Sequence, residues 1–420
     1  MQKNKKINVS INENGGLDLP EELREQFGLI PGTTIDINLT KDKIEILHPV
    51  NQLRRIYIEP TNACNLECKT CMRNVWQEQN GFISLETFGK IIESIRLIKP
   101  RPLVFFGGIG EPLAHPRIRE MVTIAKSIGA KVELITNGIL LDETVSRWMI
   151  ETGVDRIWVS IDGAKPESYA DVRLGNALPK VISNLKQLKA LQLSSSQNFT
   201  FNPRLGIAFV AMQRNFEELP EVVRLGKILG ADVFSISNVL PYAEELCSQM
   251  LYTRSIYVSD HNPTENSPVI SLPRFDLNES MLRIIAATVK DHNIAQFNDN
   301  SIELSTNSCP FVEKGSVSIR WDGNVSPCLS LLHSHSSFLD DTFRVTKEFF
   351  IGNVNEKTLI DIWNEPEYVE IRKRLVAFKF SPCTTCNSCD MAESNLEDCF
   401  GNSHPTCGGC LWAQGFIQCP

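Results

Sequence analysis

Three cysteines within the stretch TNACNLECKTCMRN constrain this chain more than any other feature. Cys64, Cys68 and Cys71 lie close together, and the next cysteine along the chain is Cys247. Thiolates at this density bind soft metals, and a cubane iron–sulfur cluster is closed by four cysteine ligands. Three ligands leave one iron with an open coordination position, which separates a reactive metal site from a structural one. The spacing therefore predicts a cluster that binds a further molecule. A zinc site completed by a distant ligand is the alternative, although zinc modules usually show paired CxxC spacing.

The 13 cysteines of this 420-residue chain fall into two groups. Reducing cytoplasmic conditions favour metal binding or catalysis over a disulfide framework. Apart from the first three and Cys247, all of them follow residue 300: Cys309, Cys328, Cys383, Cys386, Cys389, Cys399, Cys407, Cys410 and Cys419. We expect this second group to hold metal as well, and Cys247 to be a small buried residue or an unliganded thiol.

Charge and hydropathy narrow the class of partner. A formal net charge of -8 and a pI near 5.5 disfavour nucleic acid, because a surface that tracks phosphates needs an excess of basic residues. No segment approaches the length of a membrane-spanning apolar run, and the start MQKNKKINVS has basic residues without an apolar stretch behind them. The protein is therefore predicted to be cytoplasmic, without membrane contact.

A repeated alternation of strand and helix patterns predicts an α/β fold for the middle of the chain. Periodic helical stretches such as PRIREMVTIAKSIG separate the predicted strands RRIYIEP, PLVFFGG, KVELITN, RIWVSID, RLGIAFVAM and DVFSISNV. This alternation is typical of parallel strands with crossover helices, in a partial or complete barrel or in a doubly wound sheet. In each of these folds the chemistry collects at the carboxyl ends of the strands, and the three clustered cysteines follow the first strand.

Changes of pattern divide the chain into four predicted parts. Residues 1–50 form a small module with a Gly-Gly turn, a helix opened by Pro20 and a two-strand hairpin, and residues 51–240 hold the strand–helix units. Residues 241–300 begin with weak periodicity and several prolines, which indicates an insertion or linker over the site. Residues 301–420 form a cysteine-rich module.

The stretch CNLECKTC resembles the cluster motif of the radical S-adenosylmethionine enzymes, which has the form CxxxCxxC after the first strand of a partial (β/α)6 barrel. Spacing and position both match. One departure is Met72, since many members have an aromatic residue after the third cysteine. The resemblance implies that Cys64, Cys68 and Cys71 ligate a [4Fe-4S] cluster whose open iron binds S-adenosylmethionine.

Further stretches resemble the cofactor-binding segments of that family, in the expected order. GGIGEP looks like the glycine-rich motif that receives the methionyl ammonium, where glycine permits close approach. VSIDGAKPESYADVR looks like the segment whose serine and arginine hold the cofactor carboxylate, for which a guanidinium fork is suited. Asn137, in the TNG that follows the third strand, and Asp162 are plausible pocket residues, although both are also types that form turns. The implied pocket residues are Gly107, Gly108, Gly110, Glu111, Asn137, Ser160, Asp162 and Arg173.

The chemistry implied by this resemblance belongs to the cofactor. One electron, from a donor such as ferredoxin or flavodoxin, cleaves the sulfonium of S-adenosylmethionine. The resulting 5′-deoxyadenosyl radical abstracts a hydrogen atom from an unreactive position of the substrate. The protein's task is then to orient the reactants and to exclude competing reactions.

The cysteine-rich module resembles the SPASM extension found on many of these enzymes. CPFVEKGSVSIRWDGNVSPC reproduces its opening and CGGCLWAQGFIQCP looks like its ending, whereas CTTCNSC and Cys399 depart from the usual order. The resemblance implies one or two auxiliary [4Fe-4S] clusters: either two closed clusters with one thiol to spare, or one closed and one open. The alternative is zinc on the CxxC pairs Cys383, Cys386, Cys407 and Cys410.

The N-terminal module resembles the AbrB-type swapped-hairpin domain through LDLPEELREQFGLIPGTTIDI. That fold completes its core by interleaving two copies, so we expect two chains to dimerise through residues 1–49, with packing on its own barrel as the alternative. The module has fewer basic than acidic side chains, which disfavours DNA binding.

The whole arrangement looks most like the radical maturases associated with tungsten-containing aldehyde oxidoreductases. This likeness of architecture implies a metal–pterin cofactor, or the oxidoreductase itself, as the substrate. The runner-up is a peptide maturase that forms a thioether or carbon–carbon crosslink in a precursor peptide. An alternative of another class is a DNA-binding regulator that uses clusters as redox sensors.

Overall fold

The fold is taken from a computed structural model of the chain. It describes residues 9–14, 16–21, 23–24, 29, 37–39, 44–46, 52–76, 78–173, 177–195, 202–253, 278–290, 307–339, 342–384 and 389–420.

The N-terminal part contains two short antiparallel hairpins. Strand β1 (Ser10–Ile11) pairs with β2 (Leu17–Asp18), and β3 (Ile37–Leu39) pairs with β4 (Ile44–Ile46). The second of these is the predicted two-strand hairpin. The swapped AbrB-like arrangement stays a prediction.

Six parallel strands form the centre of the molecule and lie side by side in chain order. All six predicted strands are confirmed. They could be predicted because each apolar run is bounded by turn residues and followed by a stretch with helical periodicity. The strands are β5 (Arg55–Ile58), β6 (Leu103–Phe106), β7 (Val132–Thr136), β8 (Arg156–Ser160), β9 (Arg204–Ala211) and β10 (Ala231–Asn238).

Crossover helices connect these strands. Ser84 and Asp142 cap two of them by accepting the backbone N–H of Thr87 and Val145. The helices are α1 (Leu85–Leu97), α2 (Ile118–Ser127), α3 (Glu143–Thr152), α4 (Pro166–Arg173), α5 (Leu178–Ser195) and α6 (Leu219–Leu229). Within the described ranges, no helix is long and apolar enough to cross a membrane.

The sheet buries apolar side chains on both faces. Ile56 and Phe106 pack against the helices in the main core, with Phe88 of α1. On the other face, the rings of Tyr57 and Phe311 lie 5.9 Å apart, in a cluster with residues of the cysteine-rich part. The inner face of the partial barrel is therefore filled by the C-terminal part of the chain.

The C-terminal part adds three strands to the same sheet. Strand β11 (Ser316–Ile319) pairs in parallel with β5, and β12 (Asn324–Ser326) and β15 (Gly352–Asn353) continue the sheet antiparallel, so it has nine strands in the described residues. Helix α7 (Glu279–Lys290), in the predicted linker, packs against α6. The other helices and strands are α8 (Pro310–Glu313), β13 (His335–Leu339), β14 (Thr342–Thr346), α9 (Leu359–Asn364) and α10 (Pro366–Ala377).

Candidate active site

The three-cysteine loop follows β5 and is held in turns by its own backbone. Cys71 N–H donates to Cys68 O (3.1 Å), and Asn74 N–H donates to Cys71 O (3.1 Å). Cys68 is buried, and Cys64 and Cys71 are half-buried. Burial raises the pKa of Cys64 and Cys71, and the neighbouring thiols add to this effect. Crowded thiols of this kind become thiolates when a metal neutralises them, so this donor set fits an iron–sulfur cluster.

The glycine-rich segment after β6 lies directly against the backbone of this loop. Glu111 N–H donates to Ala63 O (2.8 Å). A Cβ atom at Gly110 would lie 2.2 Å from Thr61 O, so any other residue would push the loop away. The two segments are thus fitted to each other at this glycine.

Glu111 joins the ends of two neighbouring strands. Its Oε2 accepts the backbone N–H of Asn137 (2.7 Å), and its Oε1 accepts that of Leu113 (3.0 Å). Burial raises the pKa of Glu111 although these donors oppose the effect. Asn137 in turn donates from Nδ2 to Asn65 Oδ1 (2.8 Å) and lies 3.9 Å from Cys64 Sγ. The carboxylate therefore positions Asn137 beside the cluster loop.

Arg173 and Asp162 form a buried ion pair at the same loop. Arg173 Nη2 lies 2.5 Å from Asp162 Oδ2, and Arg173 Nη1 lies 3.6 Å from Cys68 Sγ. The other carboxylate oxygen of Asp162 accepts the backbone N–H of Val210 (2.8 Å). Burial disfavours the charged guanidinium, but Asp162 and Cys68 outweigh it and raise the pKa of Arg173. A fixed positive charge therefore stands beside one of the three thiols.

The remaining predicted pocket residues lie at the carboxyl edge of the sheet. Ser160 is the last residue of β8, two positions before Asp162, and is half-buried. Gly107 and Gly108 follow β6, and Gly108 has a φ of 127°, which favours glycine. A Cβ atom at Gly108 would lie 2.7 Å from the Glu59 side chain. The structure thus brings all eight residues to the edge that carries the cysteine loop.

A bridge in which a buried imidazole joins two carboxylates was not predicted from the sequence. His333 Nε2 lies 2.9 Å from Glu59 Oε1, and His333 Nδ1 lies 2.8 Å from Glu78 Oε2. The Trp76 ring is 4.4 Å from the imidazole. Glu59 Oε2 also accepts the backbone N–H of Ile109 in the glycine-rich segment (3.0 Å). No local signal marks His333, because it meets Glu59 across 274 residues of chain.

Two tyrosines near the thiols were also missed. Burial raises the pKa of Tyr169 to about 12, and its hydroxyl has no hydrogen-bond partner among the described residues. Burial likewise raises the pKa of Tyr242, and the thiol of Cys71 adds to this effect. Both phenols therefore stay protonated at neutral pH.

Four later thiols line a single cavity in the cysteine-rich part: Cys309, Cys328, Cys407 and Cys410. Burial raises the pKa of Cys309 to about 12, and the nearby Cys410 adds to this effect. Burial and the neighbouring thiols also raise the pKa of Cys328 and Cys407. In the described part of the chain, no group of three or more His, Cys, Asp or Glu side chains is placed to hold a metal ion. Four thiols on one cavity nevertheless match the number of ligands that closes an iron–sulfur cluster.

A second group of cysteines lies nearer the surface. Cys383 is buried, Cys389 is half-buried and Cys399 is exposed, and burial raises the pKa of Cys383 with a contribution from Cys399. Cys386 lies outside the described residues. The pair at 407–410 lines the first cavity, and the alternative of a zinc ion shared by this pair with Cys383 and Cys386 stays a prediction.

The last two cysteines are Cys419, which packs against the same apolar cluster as Cys309 and Cys328, and Cys247. Trp412 Nε1 donates to Cys419 Sγ (3.3 Å), in the cluster that fills the barrel. Cys247 is half-buried and packs against an apolar cluster that contains Met250 and Leu411. The predicted status of Cys247 as a residue outside the metal sites stays a prediction.

Comparison with known domains and proteins identifies relatives along most of the chain. Residues 58–205 match the Radical SAM superfamily, and residues 309–390 match the SPASM iron-sulfur cluster-binding domain. The tungsten-containing aldehyde ferredoxin oxidoreductase cofactor-modifying protein of Pyrococcus furiosus is 30% identical over 376 residues, which is 88% of this chain and 97% of that protein.

Other relatives match a smaller part. A probable GTP 3′,8-cyclase of Methanocaldococcus jannaschii is 29% identical over 197 residues, so the match covers 46% of this chain and 62% of that protein. Among solved structures, Streptococcus suis SuiB bound to S-adenosylmethionine superposes with a TM-score of 0.53 and 16% identity, over 80% of this chain and 71% of that chain. At this identity the likeness shows the fold alone.

Proposed function

Because the chain belongs to the radical S-adenosylmethionine family, among the SPASM-containing proteins related to the tungsten oxidoreductase cofactor-modifying protein, we propose that it modifies the tungsten–pterin cofactor of such an oxidoreductase. One observation carries the proposal: the similarity to that protein runs through 88% of this chain and 97% of the relative. The GTP cyclase match, by contrast, covers 46% of this chain. A shared barrel would explain the shorter match but not the longer one.

The chain is a radical S-adenosylmethionine enzyme, and its cofactors are a [4Fe-4S] cluster that binds S-adenosylmethionine and auxiliary clusters in the SPASM domain. When bound, the first cluster supplies the electron that cleaves S-adenosylmethionine to the 5′-deoxyadenosyl radical. We assign its ligation to the three cysteines of the CNLECKTC loop. Arg173, held by Asp162, would supply the positive charge for the carboxylate of S-adenosylmethionine, and Asn137 holds the cluster loop through Asn65.

We assign the auxiliary ligands by the two groups of thiols. One cluster is bound by the four cysteines of the cavity: Cys309, Cys328, Cys407 and Cys410. We assign the other to Cys383, Cys389 and Cys399 together with Cys386, which lies between Cys383 and Cys389 in the sequence. Cys419 is then the one later cysteine that binds no cluster, and its contact with the Trp412 indole supports a packing role.

Two partners complete the proposal. Reduced ferredoxin or flavodoxin supplies the electron, because the reaction consumes one electron for each S-adenosylmethionine cleaved. Two chains associate through residues 1–49, since the first hairpin leaves Val9, Ile11 and Leu17 exposed (41%, 74% and 47%). Such apolar side chains would be covered by a second copy of the module.

The radical activity is tested by anaerobic reconstitution with a reductant. The parent protein should convert S-adenosylmethionine to 5′-deoxyadenosine, and replacement of Cys64, Cys68 and Cys71 by alanine should abolish this. Cys247→Ala is the matched control and should cleave at the parent rate. A triple variant as active as the parent would refute the assignment. The triple variant should also retain iron, and zinc without iron in it would refute the auxiliary clusters.

The substrate is tested by mass spectrometry of the tungsten–pterin cofactor. Incubation with the reduced enzyme and S-adenosylmethionine should change the mass of the cofactor, and the triple cysteine variant should leave it unchanged. An unaltered cofactor together with a crosslinked precursor peptide would favour the runner-up, peptide maturation.

A further inference from the structure

Arg344 is a buried cation at the cavity of the four auxiliary thiols. It belongs to β14, is 9% exposed, and lines the cavity together with Cys309 and Cys410. Its Nη1 atom is buried and has no hydrogen-bond partner among the described residues. A buried guanidinium nitrogen without a partner is costly, so its position requires an explanation.

The backbone beside the thiols is shaped to receive this guanidinium. Gly409 lies between Cys407 and Cys410, and a Cβ atom there would lie 2.0 Å from Arg344 Nη2 and 2.2 Å from Nη1. Any side chain at this position would therefore occupy the space of the guanidinium. The CGGC segment thus supplies both the thiols and the gap into which the cation fits.

The ionisable groups that act on Arg344 are cysteines, which become negatively charged when a metal deprotonates them. Burial lowers the pKa of Arg344, and the groups that oppose this are Cys383 and Cys410, one from each auxiliary group. Arg320, by comparison, is held by the carboxylate of Asp322, 2.6 Å away. Arginine remains protonated in proteins, so the counter-charge of Arg344 has to come from the thiolates.

We propose that Arg344 is a positioning residue that holds a positive charge beside the cluster bound by the four cavity thiols and raises the reduction potential of that cluster. This inference rests on the auxiliary ligand assignment given above. An iron–sulfur cluster gains negative charge on reduction, and a nearby fixed cation therefore stabilises the reduced form.

The test is a redox titration followed by electron paramagnetic resonance. It uses the full chain with the three cysteines of the CNLECKTC loop replaced by alanine, so that only the auxiliary clusters contribute. In this background Arg344→Gln should shift the reduction equilibrium at least tenfold toward the oxidised form, a potential lower by about 59 mV for a one-electron couple. Arg344→Lys should restore most of the parent potential. Lys347→Gln, which removes an exposed cation next to the same strand, should leave it unchanged.

Each outcome decides the proposal. An unchanged potential in Arg344→Gln, or an equal shift in Lys347→Gln, overturns it. If Arg344→Gln loses its iron, Arg344→Lys decides the question. An Arg344→Lys variant that retains iron and has the parent potential supports the role of the charge. Loss of iron from both Arg344 variants, or an equal shift in both, overturns it in favour of packing. Absence of iron from the background protein itself would instead refute the auxiliary assignment, so the two failures are distinguishable.

Discussion

Replacing His333 by glutamine is expected to destabilise the protein in a pH-dependent way. The imidazole side chain is fully buried between Glu59 and Glu78, with nitrogen–oxygen distances of 2.9 and 2.8 Å. Facing a carboxylate at each nitrogen, the ring donates twice when it is protonated. Burial alone would lower the pKa of His333, but the two carboxylates outweigh it and raise the pKa to about 9. Glutamine has no titratable proton and removes this effect.

The magnitude follows from the two pKa values. The rise from 6.5 to about 9, at about 1.4 kcal/mol per pKa unit, gives about 3 kcal/mol of pH-linked stability. Because the folded-state pKa of His333 is the higher one, this stability is fully present below the unfolded value and is lost as the pH rises through the folded value. The pH-linked cost of His333→Gln should therefore be about 3 kcal/mol at pH 6, about 1.4 kcal/mol at pH 8 and close to zero at pH 10.

Urea denaturation under anaerobic conditions at these three pH values measures the cost as a difference in the free energy of unfolding. His115→Gln is the matched control: this histidine is also buried, with Nε2 3.0 Å from Ile83 O, but burial lowers its pKa. Because the folded-state pKa of His115 is the lower one, its pH-linked contribution has the opposite sign, and His115→Gln should cost less at pH 6 than at pH 8 or pH 10. A cost of His333→Gln that stayed constant, or grew with pH, would refute the buried imidazolium.

Three further changes test the site. Gly110→Ala should abolish S-adenosylmethionine binding in calorimetric titration, since the new Cβ atom would lie 2.2 Å from Thr61 O, whereas normal affinity would show that the loop can yield. Gly89→Ala, with no atom within 4 Å of the new Cβ atom, is its control and should raise the unfolding free energy by up to about 1 kcal/mol. Arg173→Lys should weaken binding of S-adenosylmethionine about tenfold in equilibrium dialysis, because lysine lacks the fork that serves a carboxylate, and unchanged affinity would remove Arg173 from the pocket. Cys247→Ala should leave the iron content per chain unchanged, and lost iron would make Cys247 a ligand.

The barrel could be predicted from the sequence because its signals are local. The short apolar stretch RIWVS is followed closely by the turn residues Asp162 and Gly163. The structure buries Ile157 and Trp158 on opposite faces of this strand. The cysteine loop and the glycine-rich segment are equally local. Each acts within a few residues of a strand end, so the order of the strands brings them together.

The grouping of the auxiliary thiols could not be predicted in the same way. Spacing left the division of the nine thiols among clusters open, with zinc on two CxxC pairs as the alternative, and the cavity brings the pair at 407–410 together with Cys309 and Cys328. The grouping of the thiols depends on which segments the fold brings together. One of these segments is placed by β11, which pairs with β5 although the two strands are far apart in the sequence. Spacing carries no information on such pairing.

The least predictable feature is that the cysteine-rich part helps to build the radical site. The backbone N–H of Glu59 donates to Ile319 O of β11 (2.9 Å), and the side chain of Glu59 meets His333. The same carboxylate accepts the N–H of Ile109 in the glycine-rich segment (3.0 Å). Glu59 is thus held by the C-terminal part at its backbone and its side chain, and through it that part positions the segment beside the cluster loop. A strand-end glutamate reads in the sequence as an ordinary polar residue, and its role becomes visible only when β11 and His333 are in place.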